Sequence, residues 1–224
     1  MTTHDILRKF LYPYVEPTLS SATGTPNGGT YEKGETKTIT KVTITVTKKS
    51  EFITSIALYN GSTLLQEKTG DTVKNGGSFT FSNVNVVVPT DGNQLTVKVT
   101  DAAGKTYSKS TTSLTFVYPY YIGTCAAGAT INEALVEGLA TKLKESKGTK
   151  TNTFTVSNGH MVFAYPKAHG VLKSILDPNN FETISGYTRY EINITGLDGT
   201  TQAYYVYVSG ATTVTSFKVT FKYS

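Results

Sequence analysis

The sequence predicts a mainly β fold, with a β-sandwich followed by a small α+β module that has one prominent helix. Three observations support this prediction. Threonine is the most abundant residue type in the 224-residue chain, and the 15 tyrosines and 10 phenylalanines also favour strands. Short runs alternate apolar and polar side chains, as half-buried strands do. Glycine-containing pairs that are typical of hairpin turns separate those runs.

The sequence of residues 1–30 predicts an N-terminal anchoring segment and linker. Apolar side chains at helical spacing favour one or two helical turns, and Pro13 and Pro17 then force extended chain. The stretch SSATGTPNGG, residues 20–29, is flexible by composition. The segment is too short to bury its own apolar side chains, so we expect it to dock on another subunit. The predicted interface residues are Ile6, Leu7, Phe10, Leu11, Tyr12 and Tyr14.

Residues 31–121 predict the sandwich. The run TKTITKVTITVTKK alternates isoleucine and valine with threonine, which indicates a strand with one buried face. Turns are predicted at Asn60-Gly61, Asp91-Gly92 and Ala103-Gly104. They divide the region into about seven strands at spacings of roughly 8–12 residues. This spacing favours an immunoglobulin-like β-sandwich.

Residues 122–224 predict the α+β module. Thr130 and Glu133 form a capping box, and apolar side chains recur at helical spacing as far as Leu143. Gly148 stands where a C-terminal glycine belongs. We therefore predict one helix in this stretch. Hairpins at Asn158-Gly159 and Asp198-Gly199 and a closing strand in TSFKVTFKYS complete the module.

The joint between the two modules is predicted near VYPYYIGT. The alternating pattern stops there, and the predicted helix begins only a few residues later. Tyrosine suits an interface because its ring buries area while its hydroxyl stays wet. Tyr118, Tyr120 and Tyr121 are therefore predicted to pack between the modules.

The distribution of charge argues against nucleic acid as a partner. The net charge is +5, but the excess is spread over both halves, and the longest basic runs are the pairs Arg8-Lys9 and Lys48-Lys49. A phosphate-binding face needs clustered cations. No stretch is long and apolar enough to span a membrane. We recognise no secretory signal, so we expect synthesis in a cytoplasm.

The residues that usually carry chemistry form no recognisable pattern. His4, His160 and His169 do not share the spacing that would place two of them on one metal ion. Cys125 is the single cysteine, which excludes an intrachain disulfide. We therefore predict no catalytic, cofactor-binding or metal site, and a protein that is not an enzyme.

The stretch FAYPKAHGVLKSILDPNNF, residues 163–181, could mark an active site or a corner of a β protein. The residues favour the corner, because a strand is ended by Pro166 and a helical turn with Val171, Leu172 and Ile175 follows. The DPNNF turn, in which Asp177 caps backbone amides, is expected to return Phe181 to the core. Every residue has a packing or turn role in this interpretation.

Several segments resemble a repeated module of tail and baseplate structural proteins of tailed bacteriophages. FAYPKAHGVLKSILDPNNF and the C-terminal YYVYVSG and FKVTFKY carry the resemblance. ILRKFLYPYVEPTLS, YEKGETKTIT and TFVYPYYIGT extend it over most of the chain. In that motif an aromatic residue often precedes the glycine where this chain has His169. The resemblance therefore implies that the imidazole packs and does not catalyse.

The resemblance implies a virion structural protein, assembled in several copies in the host cytoplasm. The implied partners are other virion structural proteins, with the chain as a homo-oligomer or ring component at the tail hub, baseplate or fibre attachment. The alternative function is a carbohydrate-binding or adhesin module in which exposed tyrosines stack on a host glycan. The absence of tryptophan argues against that alternative, because sugar-binding platforms favour tryptophan.

Overall fold

The computed structural model describes residues 2, 10–88 and 94–223. Strands make up most of them, which confirms the mainly β fold. The chain divides into two compact units. We call Met1–Gly29 with Thr36–Thr115 the first module, and Thr30–Glu35 with Phe116–Ser224 the second module. The division at Thr115 and Phe116 precedes the boundary predicted after Tyr121, and residues 30–35 belong to the second module.

Two antiparallel sheets build the first module. In one, β1 (Thr18–Leu19) and β2 (Thr23–Thr25) pair with β4 (Lys37–Thr47), which also pairs with β7 (Gly76–Val88). The other has the order β6 (Thr63–Thr69), β5 (Ile53–Asn60), β8 (Leu95–Asp101) and β9 (Thr106–Ser110). Each sheet buries its apolar face within the same compact unit, which is the arrangement of a β-sandwich.

The alternation predicted for β4 is confirmed. Val42, Ile44 and Val46 are buried, and the threonines between them face outward. The register of the β4–β7 pair shifts between Ile39 and Lys41, and Ile39 is buried as well. Isoleucine and valine fit this surface because their branched side chains pack well on a pleated sheet.

Two of the predicted turns in the first module are confirmed. Asn60 pairs with Thr63 across a two-residue turn that joins β5 to β6. Ala103 and Gly104 lie in the turn between β8 and β9. The third predicted turn, at Asp91-Gly92, lies outside the described residues.

Residues 20–29, which were predicted to be a flexible linker or long loop, contain a short strand. Part of it is β2, in which Gly24 pairs with Val42 of β4. Ala22 is buried, and a side chain at Gly24 would come within 3.2 Å of the Pro26 carbonyl oxygen. Small residues therefore let this strand pack closely at the edge of the sheet, whereas composition alone suggested a flexible chain.

Most strands of the second module belong to one antiparallel sheet. Its order is β12 (Thr141–Leu143), β11 (Tyr120–Ala126), β13 (Lys150–Pro166), β16 (Thr201–Ser209) and β15 (Tyr187–Thr195). The last strand, β17 (Thr212–Tyr223), pairs with β13 and with β14 (Leu172–Leu176). A short separate pair joins β3 (Thr30–Glu32) to β10 (Thr115–Val117).

The long strand β13 belongs to both halves of this sheet. Its first half pairs with β17, and its second half lies between β11 and β16. Phe163 lies in the second half of β13, whereas Phe221 of β17 pairs with Lys150 at the start of the first half. The rings of Phe163 and Phe221 nevertheless stack, with centroids 4.1 Å apart. The sheet therefore curls so that its two halves pack face to face around an aromatic core.

The prominent helix predicted from Thr130 to Leu143 is wrong. The one helix that the structure describes in this stretch is α1 (Glu133–Glu137), and its N-cap is Asn132, whose Oδ1 accepts a 3.0 Å hydrogen bond from Leu135 N. Gly138 ends the helix, and β12 follows and pairs with β11. Glycine costs a helix about 1 kcal/mol, and strand pairing replaces the lost helical hydrogen bonds. The second module is thus mainly β as well.

The hairpin predicted at Asn158-Gly159 is also wrong. Both residues lie inside β13, where the pairing with β17 is irregular between Val156 and Gly159. Asn158 has a φ of 47°, so a left-handed residue marks a bulge here and not a turn. The hairpin at Asp198-Gly199 is confirmed, since Thr195 pairs with Thr201 across it, and β17 is the predicted closing strand.

Candidate functional site

The stretch that raised the question of an active site forms a corner between two strands. Strand β13 ends at Pro166, residues Lys167–His169 make one 3₁₀ turn, and Gly170 follows with a φ of 82°. Only glycine adopts that conformation freely. The corner directs the His169 ring onto the aromatic core.

The helical turn predicted after this corner is wrong, because residues 172–176 form β14. Leu172 and Ile175 are both buried, a spacing that indicates a helix. The register of the β14–β17 pair shifts between Leu172 and Ser174. Such a bulge places residues three apart on one face, so it produced a helical pattern in a strand.

The turn after β14 differs in part from the prediction. Asp177 Oδ1 accepts hydrogen bonds from the amides of Asn179 and Phe181, each at 2.8 Å, as expected of a turn aspartate. The predicted return of Phe181 to the core is wrong, since its side chain is 68% exposed. Val171 is also largely exposed.

His169 lies among tyrosine rings. Its Nδ1 is 2.9 Å from the hydroxyl of Tyr120, and its ring meets the Tyr223 ring edge-on at a centroid distance of 6.1 Å. Burial lowers the pKa of His169, and the nearby charges of Lys147 and Lys150 lower it further. Burial thus favours the neutral imidazole, and the tautomer of the ring decides whether Nδ1 or the Tyr120 hydroxyl donates this hydrogen bond.

Four tyrosines under this corner form a cluster that we call the tyrosine cage. Its members are Tyr120, Tyr165, Tyr207 and Tyr223. Lys150 Nζ lies 4.7 Å from the centre of the Tyr120 ring and donates a 2.5 Å hydrogen bond to Glu145. Lys147 Nζ lies 5.5 Å from the centre of the Tyr223 ring. Ring packing and cation–π contacts therefore give most of these side chains a structural role.

An open depression of about 310 Å³ lies beside the corner. It is lined by Lys33, Phe116, Val117, Tyr118, Pro166, Ala168, His169 and Gln202. Tyr118 donates a 3.0 Å hydrogen bond to Asp198, and Lys33 Nζ lies 4.8 Å from its ring centre. A side chain at Gly196 would approach the same ring to 3.1 Å. Neighbours thus pack closely around the ring that a sugar would need for stacking.

The structure places the three predicted joint tyrosines in the second module. Tyr120 and Tyr121 are buried on opposite faces of β11, in two separate clusters of its core. Tyr118 is half-buried beside the depression. That these residues pack between the modules stays a prediction.

The predicted N-terminal interface divides into exposed and anchored residues. Ile6 and Leu7 lie outside the described residues. Phe10, Leu11 and Tyr12 are 85%, 64% and 77% exposed. Tyr14 instead packs against the turn between β8 and β9 of its own module: its hydroxyl donates to Asp101 Oδ2 and meets the Tyr107 hydroxyl, and Lys105 Nζ lies 3.6 Å from its ring centre.

A second set of bonds fixes the chain directly after Tyr14. Val15 N donates to Ser50 Oγ at 2.8 Å, and Ser50 N donates to Val15 O at 3.3 Å. Burial acts to raise the pKa of Asp101, but hydrogen bonds from Tyr14 and from the amides of Lys105 and Ala103 hold it below its usual value. We call the contacts of Tyr14 and Val15 the Tyr14 latch. Sequence reasoning missed it, although the DAAGK turn that contains Asp101 was visible.

The other candidate chemical residues have structural partners or are partly buried. His160 Nδ1 is 2.7 Å from the carbonyl oxygen of Ser209. Burial raises the pKa of the half-buried Cys125, which keeps its thiol protonated. Among the described residues, no three His, Cys, Asp or Glu side chains are grouped so that they could hold a metal ion. No helix in that part of the chain has the length and apolar character needed to cross a membrane.

Comparison with known proteins finds only distant structural similarity. No family model and no curated protein matches the chain. Among solved structures, fibronectin(III)-like modules of Clostridium thermocellum CbhA are similar at 12% identity and a TM-score of 0.29, over 93% of this chain and 80% of that one. Murine CEACAM1b is similar at 13% identity and a TM-score of 0.34, over 92% and 99%. Similarity at this level carries no argument about activity or partners.

Proposed function

We propose that this chain is a non-enzymatic structural protein of a tailed-phage virion, assembled in several copies through its N-terminal segment. The observation that carries the proposal is the run of exposed apolar side chains at Phe10, Leu11 and Tyr12, directly before the Tyr14 latch. Large exposed apolar patches mark interaction sites in soluble proteins. The resemblance to phage tail and baseplate modules supplies the virion context.

The latch makes the exposed segment suitable for assembly. Phe10, Leu11 and Tyr12 directly precede a fixed point of the chain, because side-chain and backbone hydrogen bonds hold Tyr14 and Val15. A fixed exit point lowers the conformational entropy lost on docking. Burial of an apolar side chain contributes about 1.5–3 kcal/mol, so three of them would stabilise a joint between subunits.

The strand order of the first module supports an immunoglobulin-like domain. In chain order, the β1/β2, β4 and β7 strands correspond to A, B and E of such a sandwich. The β5, β6, β8 and β9 strands correspond to C, C′, F and G. A sandwich of this kind contributes shape and spacing, since function in this fold class resides in grafted sites.

The latch also defines the experiment. Deletion of residues 1–12 removes the exposed run and keeps Tyr14, whereas a deletion that extends through residue 19 would also remove the latch and β1. We expect the deleted chain to remain folded by circular dichroism and to be lost from purified virions in an immunoblot. The matched control is the substitution Leu197→Ser, which changes a 61% exposed side chain in a hairpin of the second module. Normal incorporation of the deleted chain would contradict the proposal.

The virion context has its own test. An antibody raised against the chain should label purified phage particles at the tail, baseplate or fibre attachment in electron microscopy. Labelling restricted to the host cell surface would favour the alternative adhesin function, which binding to a glycan array would then establish. The close packing around Tyr118 gives that alternative little support at the depression.

A further inference from the structure

Two buried tyrosine hydroxyls of the tyrosine cage lack a hydrogen-bond partner. Tyr165 is fully buried, and the hydroxyl oxygen of Tyr223 is buried as well. Neither oxygen has a hydrogen-bond partner among the residues that the structure describes. A buried hydroxyl without a partner destabilises a protein, so each such group requires a physical explanation.

The two hydroxyls belong to one cluster. The Tyr165 and Tyr223 rings meet edge-on at a centroid distance of 5.1 Å. Burial raises the pKa of both groups. Tyr207 beside Tyr165 and Tyr120 beside Tyr223 raise it further, although neither contact reaches the full geometry of a hydrogen bond. Both hydroxyls therefore remain protonated, and each brings one donor and an acceptor into the interior.

The neighbouring hydroxyls already have partners. Tyr207 accepts a 3.3 Å hydrogen bond from Leu172 N, and Tyr120 pairs with His169 Nδ1 at 2.9 Å. His169 also lines the open depression, so it separates the tyrosine cage from solvent. The cage is thus polar, and His169 contacts both the cage and the open depression.

We propose that the tyrosine cage is an internal hydration site, in which a buried water molecule bridges the hydroxyls of Tyr165 and Tyr223. A buried water typically makes about three hydrogen bonds to polar groups that would otherwise be unsatisfied. Two hydroxyls that can each donate or accept meet most of that requirement.

The charges around the cage favour a neutral guest over an anion. Lys150 is already compensated by Glu145 at 2.5 Å, and Lys147 is exposed to solvent. An anion in the core would lose its hydration without gaining a free buried cation. Water carries no such penalty.

The test compares Tyr165→Phe, Tyr223→Phe and the double variant in the full chain by urea unfolding. If one water serves both hydroxyls, each single change raises the unfolding equilibrium constant about fivefold to tenfold. The double variant then loses clearly less than the product of the two effects, because the second change removes a water that is already disordered. Tyr190→Phe, at a 41% exposed position, is the matched control and should change nothing.

Three outcomes would overturn the proposal. Unchanged or greater stability in both single variants would mean that neither hydroxyl binds a water molecule. If the effects of the two substitutions on the unfolding equilibrium constant multiply in the double variant, the hydroxyls do not share one water molecule. Stability that depends on the identity of the added halide in the wild type, and not in the double variant, means an anion. A high-resolution crystal structure with water density within hydrogen-bond distance of both hydroxyls would support the site directly.

Discussion

The two modules build β-sheets from different side chains. In the first module, strands such as β4 bury aliphatic β-branched residues on one face and expose threonine on the other. In the second, β13 buries both faces, with Phe163 and Tyr165 on one side and Val162 and Ala164 on the other. A strand with one solvent-exposed face can thus be recognised by alternating apolar and polar side chains. A strand with two buried faces has no such alternation, and its position depends on how its side chains pack against their neighbours on each face.

The largest effect is expected from Phe163→Ala. Phe163 is fully buried and contacts the rings of Phe221, Tyr165 and Tyr120, so the change opens a cavity that costs about 3–5 kcal/mol. Hydrogen exchange followed by mass spectrometry should show faster exchange in peptides of the second module only. Phe181→Ala, at an exposed position, is the control. Faster exchange throughout the chain would mean that the two modules unfold as one unit.

The equivalent change in the first module is Leu58→Ala. Leu58 is fully buried in β5, and its truncation should cost about 2–5 kcal/mol, with less cost where aliphatic neighbours can close the cavity. Hydrogen exchange should now be faster in first-module peptides. Leu64→Ala, at a 48% exposed position in β6, should leave exchange unchanged. A loss as large as that of Phe163→Ala would remove the distinction between the two cores.

A smaller effect is expected at helix α1 of the second module. Asn132→Ala removes the 3.0 Å cap of the Leu135 amide and should cost about 1 kcal/mol. Asn132→Asp keeps an acceptor and should retain most of the stability. Unfolding in urea, compared between the two variants, checks this. Equal losses in both would show that the cap does not hold the helix.

The smallest effect is a difference in acid sensitivity between the modules. Because the folded pKa of His169 is lowered from 6.5, its stabilising contribution is complete above pH 6.5 and declines as the pH falls through the folded value. Asp101 in the first module has a pKa lowered from 3.8, so its contribution persists to much lower pH. As the pH falls, the second module should therefore be destabilised first. Hydrogen exchange at pH 7, 5.5 and 4.5 should show this as faster exchange in its peptides than in those of the first module. His169→Phe should abolish that difference, and its persistence would assign the effect to another group.

The first module could be predicted well from the sequence, because local signals determine it. Asn60-Gly61 and Ala103-Gly104 specify turns through backbone conformation, and alternation specifies the buried face of β4. The edge strand β2 was missed since Gly24 and its small neighbours resemble a linker. The structure shows why Gly24 is small, because a side chain there would come within 3.2 Å of the Pro26 carbonyl oxygen.

The second module was predicted less well, because long-range pairing overrides its local patterns. The apolar spacing from Ile131 to Leu143 is helical, yet the pairing of Leu143 with Tyr120 converts its end into β12. The bulge in β14 imitates a helical repeat, and Asn158-Gly159 imitates a turn inside β13. The tyrosine cage could not be foreseen, since its four rings come from four different strands, β11, β13, β16 and β17.

The dual role of β13 restricts how this protein can vary in length. Loss or gain of one residue between Gly159 and Pro166 would exchange the two faces, moving Phe163 and Tyr165 into the space now filled by Val162 and Ala164. By contrast, Gly199 in the β15–β16 hairpin has open space around it. Related sequences should therefore accept insertions at residues 198–199 and show none in β13. The length of that one strand is thus fixed, whereas the hairpin beside it can vary.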